Sequence, residues 1–127
     1  MSQGQSLNHL IFSTKYRYSL LASQSIALQC ERLIHYIASV RGVQIRAIAI
    51  QPDHVHVMFV LPRTETIAMV AQEFKRFSSL RLRQQFKSLN EHRAFWAKSY
   101  YHRSVGGGEA AVEKYIRDQR IAGLKEY

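Results

Sequence analysis

The sequence predicts an α+β fold, in which an antiparallel ferredoxin-like sheet carries helices on one face and a further helix follows at the C-terminus. Three observations support this prediction. Segments with strand-like and helix-like patterns follow one another in the order strand, helix, strand, strand, helix, strand, helix. Only three residues separate the second and third strands, which indicates an antiparallel hairpin. A length of 127 residues, with 46% hydrophobic and 21% charged side chains, suits one globular domain spanning 1–127.

In the first half of the chain, the patterns predict three strands and one helix. Residues 7–15 (LNHLIFSTK) are apolar and β-branched at their centre, as in a strand. Residues 23–40 place apolar side chains at helical spacing, and a glycine follows at the expected stop position. Residues 43–50 (VQIRAIAI) and 54–61 (HVHVMFVL) are the two strands of the hairpin.

In the second half, a helix is predicted from about Thr64 to about Phe86. Its predicted buried face consists of Ile67, Val70, Ala71, Phe74 and Phe77. Residues 95–105 (FWAKSYYHRSV) have the aromatic content of a fourth strand. Three glycines at 106–108 then precede a last helix at 109–124. Because glycine leaves the backbone unusually free, the region 105–127 is expected to be a mobile unit that carries this helix.

The charge of the chain favours a polyanionic partner. Eighteen lysines and arginines against nine acidic residues give a net charge of +9 and a pI near 10.1. Such a balance favours nucleic acid, which is bound through phosphate contacts and counterion release. A basic protein without such a partner is the alternative on charge alone.

Several other classes are not supported by the composition. The longest apolar runs are far too short to cross a bilayer, and no basic amphipathic helix suggests a lipid surface. The N-terminus lacks the pattern of a secretion signal. A single cysteine, Cys30, cannot form an internal disulfide, which suits a reducing cytoplasm. We therefore expect no membrane partner and a cytoplasmic location.

The sharpest local motif is His54-Val55-His56. Side chains alternate along a strand, so both imidazoles project from one face about 7 Å apart along the backbone. Neutral imidazoles bind divalent transition metals well. By itself, the motif favours an ordinary pair of strand histidines over a metal site.

The last helix offers a second pair of reactive side chains. Tyr115 and Gln119 are four residues apart and therefore share one helix face, while Val112 and Ile116 lie on a neighbouring stripe that can pack the helix down. A phenol and an amide on one face could serve as nucleophile and neutral metal ligand. Alone, such a pair also fits an ordinary helix surface.

These motifs together resemble a known family. The set comprises residues 52–56 (PDHVH), 95–101 (FWAKSYY) and 115–119 (YIRDQ), with an opening segment, 9–17 (HLIFSTKYR), that looks like the family's first strand. It is similar to the small single-tyrosine transposases of the IS200/IS605 insertion-sequence family, which belong to the HUH nucleases. The match covers nearly the whole chain in the same order. Gln51 before the Pro-Asp pair and Ser99 in place of a common glycine depart from the pattern, but neither is a predicted catalytic position.

The resemblance implies specific roles. Tyr115 is the nucleophile, and His54, His56 and Gln119 bind a divalent ion, Mg²⁺ or Mn²⁺. The expected reaction cleaves and rejoins single-stranded DNA at insertion-sequence ends through a 5′-phosphotyrosine intermediate. Relatives recognise hairpins and work as homodimers in which the tyrosine helix of one subunit completes the histidine site of the other. A prokaryotic protein that associates with the nucleoid when active is therefore expected.

Basic residues of the second helix are candidates for contacts with DNA phosphates. Arg76, Arg83 and Lys87 lie within about 20° of one stripe at helical geometry. The complete set of candidates is Lys75, Arg76, Arg81, Arg83 and Lys87. A solvated helix face is the alternative for each of them.

The remaining aromatic residues and histidines carry less specific signals. The aromatic side chains Trp96, Tyr100 and Tyr101 are expected in the core or at a dimer contact rather than stacked on bases. The remaining histidines show no spacing that suggests a partner. Three alternative functions stay open: a domesticated REP-associated transposase, a non-catalytic binder of structured nucleic acid with the same fold, and a phosphohydrolase that uses the histidines directly.

Overall fold

The predicted order of elements is confirmed within residues 6–106 and 108–126, which the computed structural model describes. The four strands are β1 (Ser6–Ser13), β2 (Gln44–Gln51), β3 (His54–Leu61) and β4 (Tyr101–Ser104). The three α-helices are α1 (Gln24–Val40), α2 (Ile67–Gln85) and α3 (Glu109–Glu126). No helix in this part of the chain combines the length and apolar character needed to cross a bilayer.

The strands form one antiparallel sheet in the order β2-β3-β1-β4. The predicted hairpin pairs β2 with β3, so that Gln51 lies opposite His54 and Ala49 lies opposite His56. On its other side, β3 pairs with β1, which places Ile11 opposite His56. The histidine motif therefore lies on a central strand, where neighbours on both sides fix its position.

The two faces of the sheet are covered by different helices. Helices α1 and α2 pack on one face over a core that includes the sheet side chains Leu10, Phe12, Ile48, Ile50, Val55, Val57 and Phe59. Helix α3 packs on the opposite face, chiefly on β2, through a smaller cluster of Leu7, Ala47, Ala49, Met58, Val60, Val105 and Ile116. The strand alternation explains this division, because odd and even positions of β3 point to opposite faces.

The start of α2 differs slightly from the prediction. The helix begins at Ile67 rather than near Thr64, because Thr66 is the N-cap and its hydroxyl accepts a hydrogen bond from the backbone N–H of Met69 at 3.2 Å. Val70, Ala71 and Phe74 form its buried face, as predicted.

The predicted fourth strand at 95–105 is mostly wrong, since only Tyr101–Ser104 pairs with β1. Phe95 and Trp96 are instead core side chains beside the end of β1, where Trp96 forms an isolated bridge with Thr14. The Trp96 indole donates a hydrogen bond to the hydroxyl of Ser78 at 3.0 Å. The aromatic content of this segment thus reflects burial against α2, which sequence alone does not distinguish from strand preference.

Candidate active site

The two motif histidines project from β3 toward α3, on the face opposite the larger core. Val55 and Val57, which alternate with them, are fully buried on the other side. His56 is only 7% exposed, whereas a quarter of the His54 side chain is accessible. The Nε2 atoms of His54 and His56 lie 3.1 Å apart, so the two rings converge on one point in space.

This convergence fits a shared metal ion. Two ligand atoms about 2.1 Å from one ion and at a right angle to each other lie about 3.0 Å apart. The donor set carries no negative charge, and imidazole suits transition-metal ions better than Mg²⁺, which prefers oxygen ligands. In the described part of the chain, histidine, cysteine and carboxylate side chains form no group of three that would complete such a site.

Asp53 holds the ring of His54 from behind. Its Oδ1 lies 2.7 Å from Nδ1 of His54, and its Oδ2 accepts a hydrogen bond from Nε of Arg17 at 2.9 Å. Burial by itself would raise the pKa of Asp53, but the hydrogen bonds and charges of His54 and Arg17 together lower it. A carboxylate behind a metal-binding histidine orients the ring and fixes its tautomer.

His9 is a third histidine at this site, although no spacing in the sequence indicates its contact with the motif. Its Nε2 lies 3.2 Å from Nδ1 of His56, and the centroids of the two rings are 5.4 Å apart. Burial and the nearby charges of His54 and His9 lower the pKa of His56 to about 4. Residues 9 and 56 are 47 positions apart, so only the register of β1 against β3 brings them together.

Tyr115 reaches the same face from α3. Its ring centroid lies 5.9 Å from that of His56 in an edge-on arrangement, and the side chain remains 51% exposed. The expected packing of the helix is present, since Ile116 is fully buried and Val112 packs against the same cluster. A phenol therefore lies beside the paired histidines and stays accessible to a large substrate.

Gln119 is fixed next to the histidine strand by Gln51. The amide of Gln51 donates a hydrogen bond to the backbone carbonyl of Gln119 at 3.0 Å and lies 3.5 Å from its side-chain oxygen. Because Gln51 faces His54 across the ladder, Gln119 is held near that end of β3. Nothing in the sequence pointed to Gln51 as a neighbour of this predicted ligand.

A small cleft opens beside Tyr115. It has a volume of about 330 Å³ and is lined by His9, Arg103, Ala111, Val112 and Tyr115. The guanidinium of Arg103 gives the cleft a positive charge, which suits a phosphate of the substrate. Arg103 was not among the predicted site residues.

The basic residues predicted to contact DNA lie on the other side of the sheet, and only some of them are brought together. A groove of about 640 Å³ between α2 and the segment before Trp96 contains Lys75, Arg76, Arg83 and the unpredicted Arg93. We call these four residues the basic groove. Arg81 instead lies over the ring of Phe77, and Lys87 follows the end of α2.

Two members of the basic groove already have partners within the chain. Lys75 donates hydrogen bonds to the backbone carbonyls of Lys98 and Ser99, at 3.2 and 3.3 Å. Arg76 forms an ion pair with Glu73 at 2.8 Å. No described hydrogen bond or ion pair engages the guanidinium groups of Arg83 and Arg93.

Comparisons with known proteins identify the family that the sequence matches. Residues 2–119 match the sequence profile of a family described as "Transposase IS200 like". The chain is 26% identical, over 114 residues, to the transposase for insertion sequence element IS200 of Salmonella typhimurium, covering 87% of this chain and 74% of that protein. It is 27% identical, over 115 residues, to the ISDra2 transposase TnpA of Deinococcus radiodurans, covering 87% of this chain and 81% of that protein.

Solved structures show the same fold. A candidate transposase from Deinococcus radiodurans superposes with a TM-score of 0.76 at 26% identity, covering 94% of this chain and 98% of that one. A REP-associated tyrosine transposase bound to a REP hairpin superposes with a TM-score of 0.61 at 15% identity, covering 95% of this chain and 68% of that one. At this identity, the second likeness concerns the fold alone.

Proposed function

Because the chain belongs to the IS200-like transposase family, we propose that it cleaves and rejoins single-stranded DNA at insertion-sequence ends with Tyr115 as the nucleophile. The observation that carries the proposal is the position of Tyr115 beside two histidines whose Nε2 atoms converge. An accessible phenol beside two imidazoles that could hold a divalent ion suits a phosphotyrosine mechanism.

The chemistry of the first step follows from the phenol. The oxygen of Tyr115 attacks phosphorus, the bond from phosphorus to the 3′-oxygen breaks, and the DNA 5′ end stays attached as a phosphotyrosine. The phenol proton passes to solvent, which reaches the half-exposed side chain, and the departing 3′-oxygen takes up a proton. A second 3′-hydroxyl can then reverse the step on a new partner without ATP, because the covalent link retains the energy of the phosphodiester.

The hydroxyl of tyrosine has a pKa near 10, so it is a poor nucleophile at neutral pH and needs activation. A divalent ion would neutralise the scissile phosphate and hold it for in-line attack. We assign His54 and His56 as its ligands, with Gln119 as the third. The low pKa of His56 keeps its ring neutral, as a ligand must be. The ion we propose is Mg²⁺ or Mn²⁺.

Recognition of hairpin DNA is part of the proposal. The REP-associated transposase of the same fold is bound to a REP hairpin, and the basic groove offers this chain a place for a similar phosphate backbone. The groove lies on the side of the sheet that α2 covers, opposite the side that carries the paired histidines. One part of a DNA molecule can therefore bind in the groove while another part of the same molecule is cut.

One assay tests the chemistry. The purified protein is incubated with a labelled single-stranded hairpin oligonucleotide and Mn²⁺, and a DNA adduct that survives denaturation is measured. We expect an adduct that disappears in Tyr115→Phe and with a chelator but persists in Tyr36→Phe, since Tyr36 lies on α1 and is 58% exposed. An adduct that persists in Tyr115→Phe would contradict the proposed nucleophile. DNA binding without any adduct would favour a non-catalytic binder.

We also propose a homodimer in which active sites are shared. The contacts of α3 are made within one chain, and the same contacts would form if α3 docked on a partner. Gly108, with φ +72°, precedes α3 in a backbone conformation that favours glycine and can redirect the helix. Mixing Tyr115→Phe with His56→Ala subunits should restore adduct formation if sites are shared. If mixed dimers are shown to form but adduct formation is not restored, the shared arrangement is refuted.

A further inference from the structure

His9 is a buried polar side chain that the proposed mechanism does not use. It lies in the middle of β1 and is 7% exposed, on the face of the sheet that carries the paired histidines. Its Nε2 lies 3.2 Å from Nδ1 of His56, and the planes of the two rings lie within 22° of parallel. A buried imidazole in this position contacts the side of His56 that faces away from His54.

The hydrogen-bond chain fixes the tautomers when no ion is bound. The carboxylate of Asp53 only accepts, so Nδ1 of His54 carries a proton, and in the neutral ring its Nε2 has a free lone pair. The 3.1 Å contact between the two Nε2 atoms is then favourable only if His56 donates. Nδ1 of His56 must therefore accept, and His9 donates to it from Nε2.

Binding of an ion would reverse the direction of the hydrogen bond between His56 and His9. Both Nε2 atoms must offer lone pairs to it, so the single proton of the His56 ring has to lie on Nδ1. That N–H then donates to His9, whose own proton moves to its Nδ1. Each ring carries one proton before and after, and the hydrogen bond between them changes direction. The imidazole of His9 can either donate this hydrogen bond or accept it. An apolar side chain in its place would leave Nδ1 of His56 buried without a partner.

We propose that His9 is a positioning residue for the metal site, which holds the His56 ring and accepts its Nδ1 proton when Nε2 binds the ion. This inference rests on the proposed function, because it assumes that His54 and His56 bind a divalent ion. It assigns His9 no contact with the ion.

The test compares two variants of similar size. His9→Met fills the volume without a hydrogen-bonding group suited to His56, while His9→Gln places an amide that can donate or accept. Mn²⁺ binding to the full-length chain is measured by electron paramagnetic resonance, with folding checked by circular dichroism. We expect His9→Met to weaken binding about 10- to 100-fold and His9→Gln to recover most of it. His35→Gln, on the exposed side of α1, is the matched control and should bind like the unmodified chain.

A second measurement does not depend on affinity. Nitrogen-15 NMR of the histidine side chains should find the His56 proton on Nε2 without metal and on Nδ1 with diamagnetic Zn²⁺. If His56→Ala abolishes Mn²⁺ binding but His9→Met binds normally, the role of His9 is refuted while the metal site stands. If His54→Ala and His56→Ala also bind normally, the metal site itself is wrong, and the inference falls with it.

Discussion

The side chain of Gln51 donates a hydrogen bond to the backbone carbonyl of Gln119, with 3.0 Å between the two atoms. Gln51 ends β2 opposite His54, and Gln119 lies one turn beyond Tyr115 on α3. A single contact therefore joins the end of the hairpin to the helix that carries the phenol. A bidentate ion pair between Arg120 and Glu31, at 2.8 and 3.1 Å, further links α3 to α1 around the edge strand.

Removing the Gln51 contact should loosen α3. We expect Gln51→Ala to lose about 1 kcal/mol of docking free energy, which corresponds to about fivefold faster amide exchange in α3. Hydrogen exchange followed by mass spectrometry measures this. Gln44→Ala, at the exposed start of the same strand, is the control. Equal exchange in the two variants would show that the contact does not hold the helix.

Truncating Ile116 should undock the helix more severely. Ile116 is fully buried in the smaller cluster, which is separate from the core beneath α1 and α2. Ile116→Ala should cost about 2 to 5 kcal/mol of local stability and reduce adduct formation, while α1 and α2 stay protected from exchange. Val40→Ala, at a 62% exposed position, should change little. Loss of protection throughout the chain would contradict independent docking of α3.

The buried His56 should make the fold sensitive to acid. Its pKa is about 4 when folded, against about 6.5 in an unfolded chain, so the unfolded state binds a proton that the folded state rejects. Stability is therefore full above pH 6.5 and falls as the pH is lowered toward 4. We expect a loss of about 2 kcal/mol between pH 7.5 and pH 5. Urea unfolding at pH 7.5 and at pH 5 measures this difference, and the free energy of unfolding should fall less in His56→Gln than in the unmodified chain.

The basic groove should determine how DNA binding depends on salt. Arg83 and Arg93 carry guanidinium groups that line this groove, so each can contact a phosphate. Replacing either by Gln should weaken hairpin binding and lower the slope of log affinity against log salt by about 0.7 to 0.9 per lost contact. Arg76→Gln should have a smaller effect, because Arg76 already pairs with Glu73. Fluorescence anisotropy at several salt concentrations measures the slope, with the exposed Arg32→Gln as control. An unchanged slope in both variants would place the DNA elsewhere.

Much of the fold could be predicted because it is encoded locally. The alternation in 54–61 separates His54 and His56 from the valines of the core, and the observed strand has the predicted bounds. The stripe of Val112 and Ile116 likewise predicted which side of α3 would pack. The segment at 95–105 was misassigned because aromatic residues satisfy a strand pattern and a buried loop equally well.

By itself, the sequence determined the order of the elements, the family, and the residue types available for a phosphotyrosine reaction. These properties depend on local periodicity and on motifs that lie within a few residues of one another. Only the tertiary structure decided that His9 lies behind His56, that Gln51 holds Gln119, and that Arg93 joins Arg83 in one groove. Such contacts join residues far apart in the chain, and they depend on strand register and helix docking, which no local pattern specifies.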